Sequence, residues 1–242
     1  MKQGLAETTI AERLDSFPWQ HLEADLDAYG GTVLEHLLTP SECDAIAAIY
    51  PREDVFRGRV VMARHGFGSG EYKYFRFPLP VLVESLRTAL YPRLAPIANR
   101  WNERLRIDVR YPATHAEFLK RCHAAGQRRP TPLLLQYGEG DYNCLHQDLY
   151  GEHVFPLQVA VLLSEPDRDF EGGNFVMAEQ RPRMQSRVEV VPLRQGDAVA
   201  FAVHYRPVQG TRGTYRVNLK HGVSRIRRGH RHTLGIIFHD AE

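Results

Sequence analysis

From Pro132 onward the chain breaks into eight short β-rich runs: LLLQY, NCLHQDL, FPLQVAVLL, GNFVMAE, VEVVPL, DAVAFAVH, TYRVNLKHGV and HTLGIIFH. Turn residues separate them at short, regular spacing. That texture restricts the second half to a barrel or a double-sheet jelly roll. Alternate side chains of each strand then face a shared interior.

The first half reads mainly helical. Residues 8–17 have apolar spacing suited to a short helix, and Gly30-Gly31 breaks the chain before a strand-like GTVLEHLL. Thr39 is a candidate N-cap, with Pro40 in the first turn and Glu42 three residues after the cap, as in a capping box. That helix runs through DAIAAIY and stops before Pro51. Two strand-like runs within 58–79 flank a Gly-rich 66–70 tip and predict a hairpin. A long helical pattern covers 81–105, interrupted or kinked near Pro92 and Pro96, and another helix covers 115–125. The expectation is one α+β domain over 1–242. Residues 1–130 form a mainly helical support with the hairpin, and residues 131–242 form a jelly-roll core.

The chain has 242 residues, 43% apolar and 25% charged, as in a soluble globular protein. Cys43, Cys122 and Cys144 are an odd number at unrelated spacings, which argues against a disulfide framework and a Cys-based zinc site. The opening MKQGLAETTIAERLDSF lacks the apolar stretch of a signal peptide, and no apolar run reaches transmembrane length. The expected compartment is the cytoplasm, with no membrane partner.

His146-Gln-Asp148, followed by His221, supplies two imidazoles and one carboxylate. This is the ligand set of a facial-triad Fe(II) centre, which leaves positions open for a chelating co-substrate and O₂. Residues i and i+2 of a strand point to one face, so His146 and Asp148 can grip one metal. His221 ends the TYRVNLKH run and closes the face from another strand. Catalytic zinc also uses two His and one carboxylate, but no HExxH helix is present. Calcium and magnesium prefer oxygen-rich sites. The ligand set alone leaves iron against zinc open.

The surrounding blocks resemble the 2-oxoglutarate/Fe(II)-dependent dioxygenase superfamily, particularly its prolyl-4-hydroxylase-like branch. The resemblance covers 131–239 and rests on LLQYGEGDYNCLHQD, PLQVAVLLSEPDRDFEGGNFVM, VVPLRQGDAVAFAVH and HGVSRIRRGHRHTLGIIF, in family order. It implies a double-stranded β-helix core. It also implies Fe(II) held by His146, Asp148 and His221, with 2-oxoglutarate and O₂ consumed and succinate and CO₂ released as a C–H is hydroxylated. Arg231 matches the residue that pairs with the distal carboxylate of 2-oxoglutarate, and a guanidinium suits that task through two parallel hydrogen bonds. Thr233, on the same strand face, is a candidate to add a hydroxyl. Tyr137 matches a tyrosine that donates to the same carboxylate; a core aromatic is the competing reading. His153, His204, His230, His232 and His239 are decoys or supporting positions around the metal. His230 and His232 flank Arg231 and should point away from it.

The run HQDLYGEHVFPLQVAVLLSEPDRDFEGGNFVMAEQRPRMQSR, with GDAVAFAVHYRPVQGTRGTYRVNLKHGVSR, resembles a bacterial oxygenase family assigned to oxidative demethylation of damaged DNA. Charge is compatible with such a partner. Residues 181–231 hold eleven Arg and one Lys against Glu189 and Asp197, while the first thirty residues lean acidic. Arg181, Arg183, Arg187, Arg206, Arg212, Arg225, Arg227 and Arg228 are candidate phosphate contacts on an arginine-rich 181–228 face. A solvated basic surface is the competing reading. The 66–70 tip, with Tyr72, Tyr74 and Phe75 nearby, reads either as a lid with stacking aromatics or, preferred, as hairpin packing. A protein or peptide (prolyl-type) hydroxylase is the rival enzyme. A silent β-barrel binding module is the third reading, opposed by the intact triad and Arg231.

Overall fold

A computed structural model describes residues 8–149 and 151–242. The helices are α1 (Ile10–Ser16), α2 (Trp19–Tyr29), α3 (Pro40–Ala47), α4 (Val81–Arg104) and α5 (His115–Ala124). The first seven strands are β1 (Gly31–Leu34), β2 (Phe56–Val61), β3 (Gly68–Ser69), β4 (Glu71–Phe75), β5 (Leu133–Tyr137), β6 (Tyr142–His146) and β7 (Leu157–Leu162). The remaining eight are β8 (Phe170–Gly172), β9 (Phe175–Gln180), β10 (Arg187–Val191), β11 (Ala198–Ala202), β12 (Tyr205–Gly210), β13 (Gly213–Val223), β14 (Ile226–Gly229) and β15 (Arg231–Ile236).

Two antiparallel sheets face each other. The larger runs β1-β11-β7-β15-β5-β4-β2, and the smaller runs β10-β9-β13-β6-β3, with β12 paired to β13. The eight runs read from the sequence became β5, β6, β7, β9, β10, β11, β13 and β15, four in each sheet. That is the double-stranded β-helix. Strand alternation divides the larger sheet. Leu134, Val159, Val161, Ala198, Ala200, Leu234 and Ile236 belong to one core cluster with Val83, Leu86, Leu90, Leu94 and Trp101 of α4. Tyr72, Leu135, Tyr137, Arg231, Thr233, Gly235 and Ala160 lie on the other face, toward the smaller sheet.

The helix starts follow their capping chemistry. Thr39 Oγ1 accepts from the Glu42 N–H at 3.2 Å, and Glu42 Oε2 accepts from the Thr39 N–H at 2.8 Å. The same Thr-x-x-Glu box opens α1 at Thr9 and α5 at Thr114. Two expectations need correction, and one helix was not anticipated. Helix α3 ends at Ala47, short of the expected Tyr50. Helix α4 runs unbroken through Pro92 and Pro96, because its packed face (Tyr91, Leu94, Ala95, Ile97 and Ala98) outweighs the lost N–H groups. Helix α2 has no capping box, only Pro18 at its N-cap, so nothing local announced it; it buries Leu22 and Leu26 and ends at Gly30 with φ +81°. No helix among the described residues is long and apolar enough to cross a membrane.

The hairpin over 58–79 forms as β2 and β4, but its tip is not free. Residues 62–64 make a 3-10 turn, and β3 then pairs with β6, Gly68 opposite Asn143. Gly68 adopts φ +129°, and a Cβ there would collide with the Tyr142 carbonyl. Glycine is what lets the tip lie against the strand that carries His146.

Candidate functional site

His146 ends β6 and His221 sits opposite it on β13, in direct register. Adjacent antiparallel strands therefore bring the two rings together, with centroids 4.2 Å apart. Asp148 follows two residues beyond the strand. Its Oδ1 lies 3.5 Å from His146 Nε2 and its Oδ2 lies 3.4 Å from His221 Nε2. One ligand atom from each residue falls within a common 4.8 Å. Among the described residues this is the one such group.

The His146 ring is oriented for metal binding. His146 Nδ1 donates to the Cys144 carbonyl at 2.7 Å, so Nε2 carries the free lone pair. Burial, and His221 beside it, push the His146 pKa down, which favours the neutral ligand form. Phe201 packs 4.5 Å and Phe175 6.0 Å from the His221 ring. Gln147, between the two motif residues, donates to the Leu219 carbonyl at 2.7 Å and the His204 carbonyl at 3.3 Å. It ties the His146–Asp148 turn to β13.

Arg231 opens β15 on the inward face, 1% exposed. Its Nη1 donates to the Thr233 hydroxyl, its Nε has no partner, and no carboxylate pairs with it among the described residues. Tyr137 and Phe170 lie 5.8 Å from the guanidinium carbon. Burial without a counter-ion pulls the Arg231 pKa down to about 10. A buried, unpaired guanidinium is unfavourable until an anion satisfies it. Gly173 makes room for its stem: φ is +58°, and a Cβ there would come within 3.0 Å of Arg231 Cδ.

Tyr137 is fully buried, as the core-aromatic reading expects, and it also lines the cavity, with Asn143 Nδ2 3.4 Å from its hydroxyl. The cavity measures about 230 Å³ and reaches from Arg231, Thr233 and Tyr137 past the triad to Phe67, Tyr72, Tyr74, Gln158 and Phe201. Asp148 is the one acidic residue in its lining. The residues thus fit one Fe(II) and, next to it, a short dicarboxylate. The preferred packing reading holds, since Tyr72 packs on Tyr74 and on the cluster of Met62, Tyr137 and Leu162 and Phe75 is buried in the core, while Tyr72 and Tyr74 also line this cavity.

The other histidines stand apart from the triad. The His153 N–H bonds to Gln127, His204 packs on Tyr205, and the His230 N–H bonds to the Asp169 carbonyl. His232 packs on Tyr50, and His239 Nδ1 accepts from the Phe155 N–H. The sequence reading missed the ties made by Gln147 and the presence of Gln158 in the cavity. A visible signal for Gln158 was its place as the lone polar residue in the run LQVAVL.

The arginine-rich stretch does not form one face. Arg206 is corrected outright: it is 2% exposed and paired with Glu179, and it donates to the Asp27 carbonyl at 2.8 Å. Arg181 and Arg187 also reach Glu179, at 2.8 and 3.5 Å. Arg225, Arg227 and Arg228 belong to the other end of the barrel. The Ile226 N–H bonds to the Asp141 carbonyl at the foot of β6, five residues and about 16 Å along the strand from His146. Arg228 pairs there with Glu171 at 2.6 Å.

Fold and site together define the class of 2-oxoglutarate- and Fe(II)-dependent oxygenases. Solved structures agree on the fold. A Pseudomonas putida prolyl-4-hydroxylase matches with TM-score 0.56 and 16% identity, over 93% of this chain and 100% of that one. A Trichoplax adhaerens prolyl hydroxylase in complex with a hypoxia-inducible-factor peptide matches with TM-score 0.56 and 15% identity, over 95% and 90%. The 2-oxoglutarate-dependent epimerase SnoN of nogalamycin biosynthesis matches with TM-score 0.54 and 16% identity, over 90% and 80%.

The chain belongs to an oxygenase family described as catalysing oxidative methylation of damaged DNA, whose model matches residues 70–241. A relative from Mycobacterium tuberculosis, described as an uncharacterized protein, is 49% identical over 167 residues, covering 69% of this chain and 72% of its own.

Proposed function

We propose that this oxygenase removes N-methyl groups from alkylated nucleobases in DNA. An oxygenase without a methyl donor oxidises a methyl group rather than adding one. Hydroxylation turns N–CH₃ into N–CH₂OH as O₂ and 2-oxoglutarate become CO₂ and succinate. The hemiaminal then releases formaldehyde and leaves N–H. The observation that carries this reading is the cavity. Phe67, Tyr72, Tyr74 and Phe201 line the same cavity as His146, Asp148 and His221. Such walls suit a flipped or single-stranded base. The family description points the same way.

In this reading His146, Asp148 and His221 hold Fe(II), which supplies the oxidising chemistry when bound. Arg231 receives the distal carboxylate of 2-oxoglutarate through its unused N–H groups, and Thr233 holds the guanidinium in place. Tyr137 closes the pocket beside them. The apolar walls exclude water from the reacting methyl. Exposed Arg212 and Arg216 precede His221 along the β13 segment, on the side away from Ile226, and with exposed Arg183 they are the proposed basic approach. The prolyl-hydroxylase likeness extends to the fold, which does not set the substrate. Incubation with methylated single-stranded DNA or with proline-containing peptides, reading formaldehyde against hydroxyproline, separates the two enzymes.

A further inference from the structure

Gln158 lies in a strand whose six residues are all buried, and it is 4% exposed itself. Its Nε2 has no hydrogen-bond partner. A buried amide in that state is unfavourable unless a ligand satisfies it. Gln158 lines the cavity opposite Phe201 in register, and Phe201 packs on the ring of His221.

The co-substrate cannot be that ligand. Thr233 lies opposite Leu162, four residues and about 13 Å along β7 from Gln158. A five-carbon diacid measures about 5 Å between its end carbons. Anchored at Arg231 and Thr233, it spans less than half of that separation. The amide is left to the molecule being oxidised.

We infer that Gln158 reads the substrate base: its carboxamide pairs with the adjacent N6–H donor and N7 acceptor of an N1-methylated adenine. This inference rests on the nucleobase reading of the site. A carboxamide offers one donor and one acceptor side by side, which matches that edge of adenine. The N1-methyl lies on the neighbouring edge, on the other side of N6 from N7. Pairing at Gln158 on the larger sheet therefore leaves the methyl unblocked, free to face the triad on the smaller one. Methylation at N3 of cytosine or thymine puts the methyl between the two exocyclic groups and leaves no adjacent donor and ring acceptor.

The test measures formaldehyde release by the Fe(II)-loaded enzyme from single-stranded oligonucleotides carrying 1-methyladenine, 1-methyl-7-deazaadenine or 3-methylcytosine. The deaza base lacks only the N7 acceptor. The wild type should favour 1-methyladenine over the deaza base by about tenfold in kcat/KM, the worth of one good base contact. Gln158→Leu, with its fold checked by circular dichroism, should handle both adenines equally and slowly. Equal turnover of both adenines by the wild type overturns the role of Gln158 and leaves demethylation standing. So does a Gln158→Leu enzyme that keeps the preference. No formaldehyde from any of the three with wild type overturns demethylation and this inference together. If Gln158→Leu does not fold, the wild-type comparison of the two adenines decides.

Discussion

Gln147 Nε2 donates to the Leu219 carbonyl at 2.7 Å, so the side chain between two metal-ligand candidates is bonded to the strand that carries the third. Asp148 has no strand of its own, and this tie helps hold its turn against β13. Removing it should loosen the metal site without removing a ligand. Groups that orient ligands typically contribute 10- to 100-fold in metal affinity. Gln147→Ala should weaken Fe(II) binding by about that factor, read by anaerobic titration. Unchanged affinity would assign Gln147 a purely architectural role.

Arg231 is assigned as the anion receptor by the proposed function, because its buried Nε has no partner. Arg231→Ala should raise KM for 2-oxoglutarate at least about thirtyfold, from the roughly 2–5 kcal/mol that loss of a buried charge-pair partner costs. Arg231→Lys keeps the charge but not the planar fork, so it should fall between the two. A KM within twofold of wild type for the alanine variant contradicts the assignment.

Acid should destabilise the fold through two buried histidines. Burial, reinforced by the nearby Arg87 charge, pulls His115 and His239 down to about 4. The unfolded chain takes up these protons near pH 6.5 and the folded one does not. Stability is therefore full above pH 6.5 and falls as pH drops toward 4, by about 2 kcal/mol per histidine at pH 5. Melting temperature should drop several degrees between pH 7 and pH 5. The His115→Gln, His239→Gln double variant should show a shallower drop; an unchanged slope excludes these two groups.

The two ends of the barrel should differ in DNA binding. Replacing Arg183 and Arg212 by alanine should lower the slope of log affinity against log salt by about one each. Replacing Arg227 and Arg228, at the far end, should leave the slope unchanged. Equal effects at both ends contradict an approach from the triad side.

The legible features in the sequence were the local ones. Turn punctuation marked all eight jelly-roll strands, and the Thr39-x-x-Glu42 box marked the start of α3. His146, Asp148 and His221 stood out as a set of two imidazoles and one carboxylate, although Asp148 lies past the end of β6, so the expected strand periodicity is not what places it. Pairings between distant segments were not legible. Arg206 looked like a phosphate contact because nothing local shows that Glu179 faces it across β9 and β13. The isolation of Arg231 and Gln158 is a property of the folded interior, since a missing partner has no sequence pattern. Helix α2 lacked a capping signal, and its burial against the β-core is what forms it.

The most direct measurement follows a single-stranded oligonucleotide carrying 1-methyladenine through one reaction with Fe(II), 2-oxoglutarate and O₂. Formaldehyde, succinate and restored adenine are counted together. Equal amounts of all three, abolished in His221→Ala, are the predicted result. Succinate without formaldehyde from any methylated base, alongside hydroxylation of a proline peptide, would contradict it.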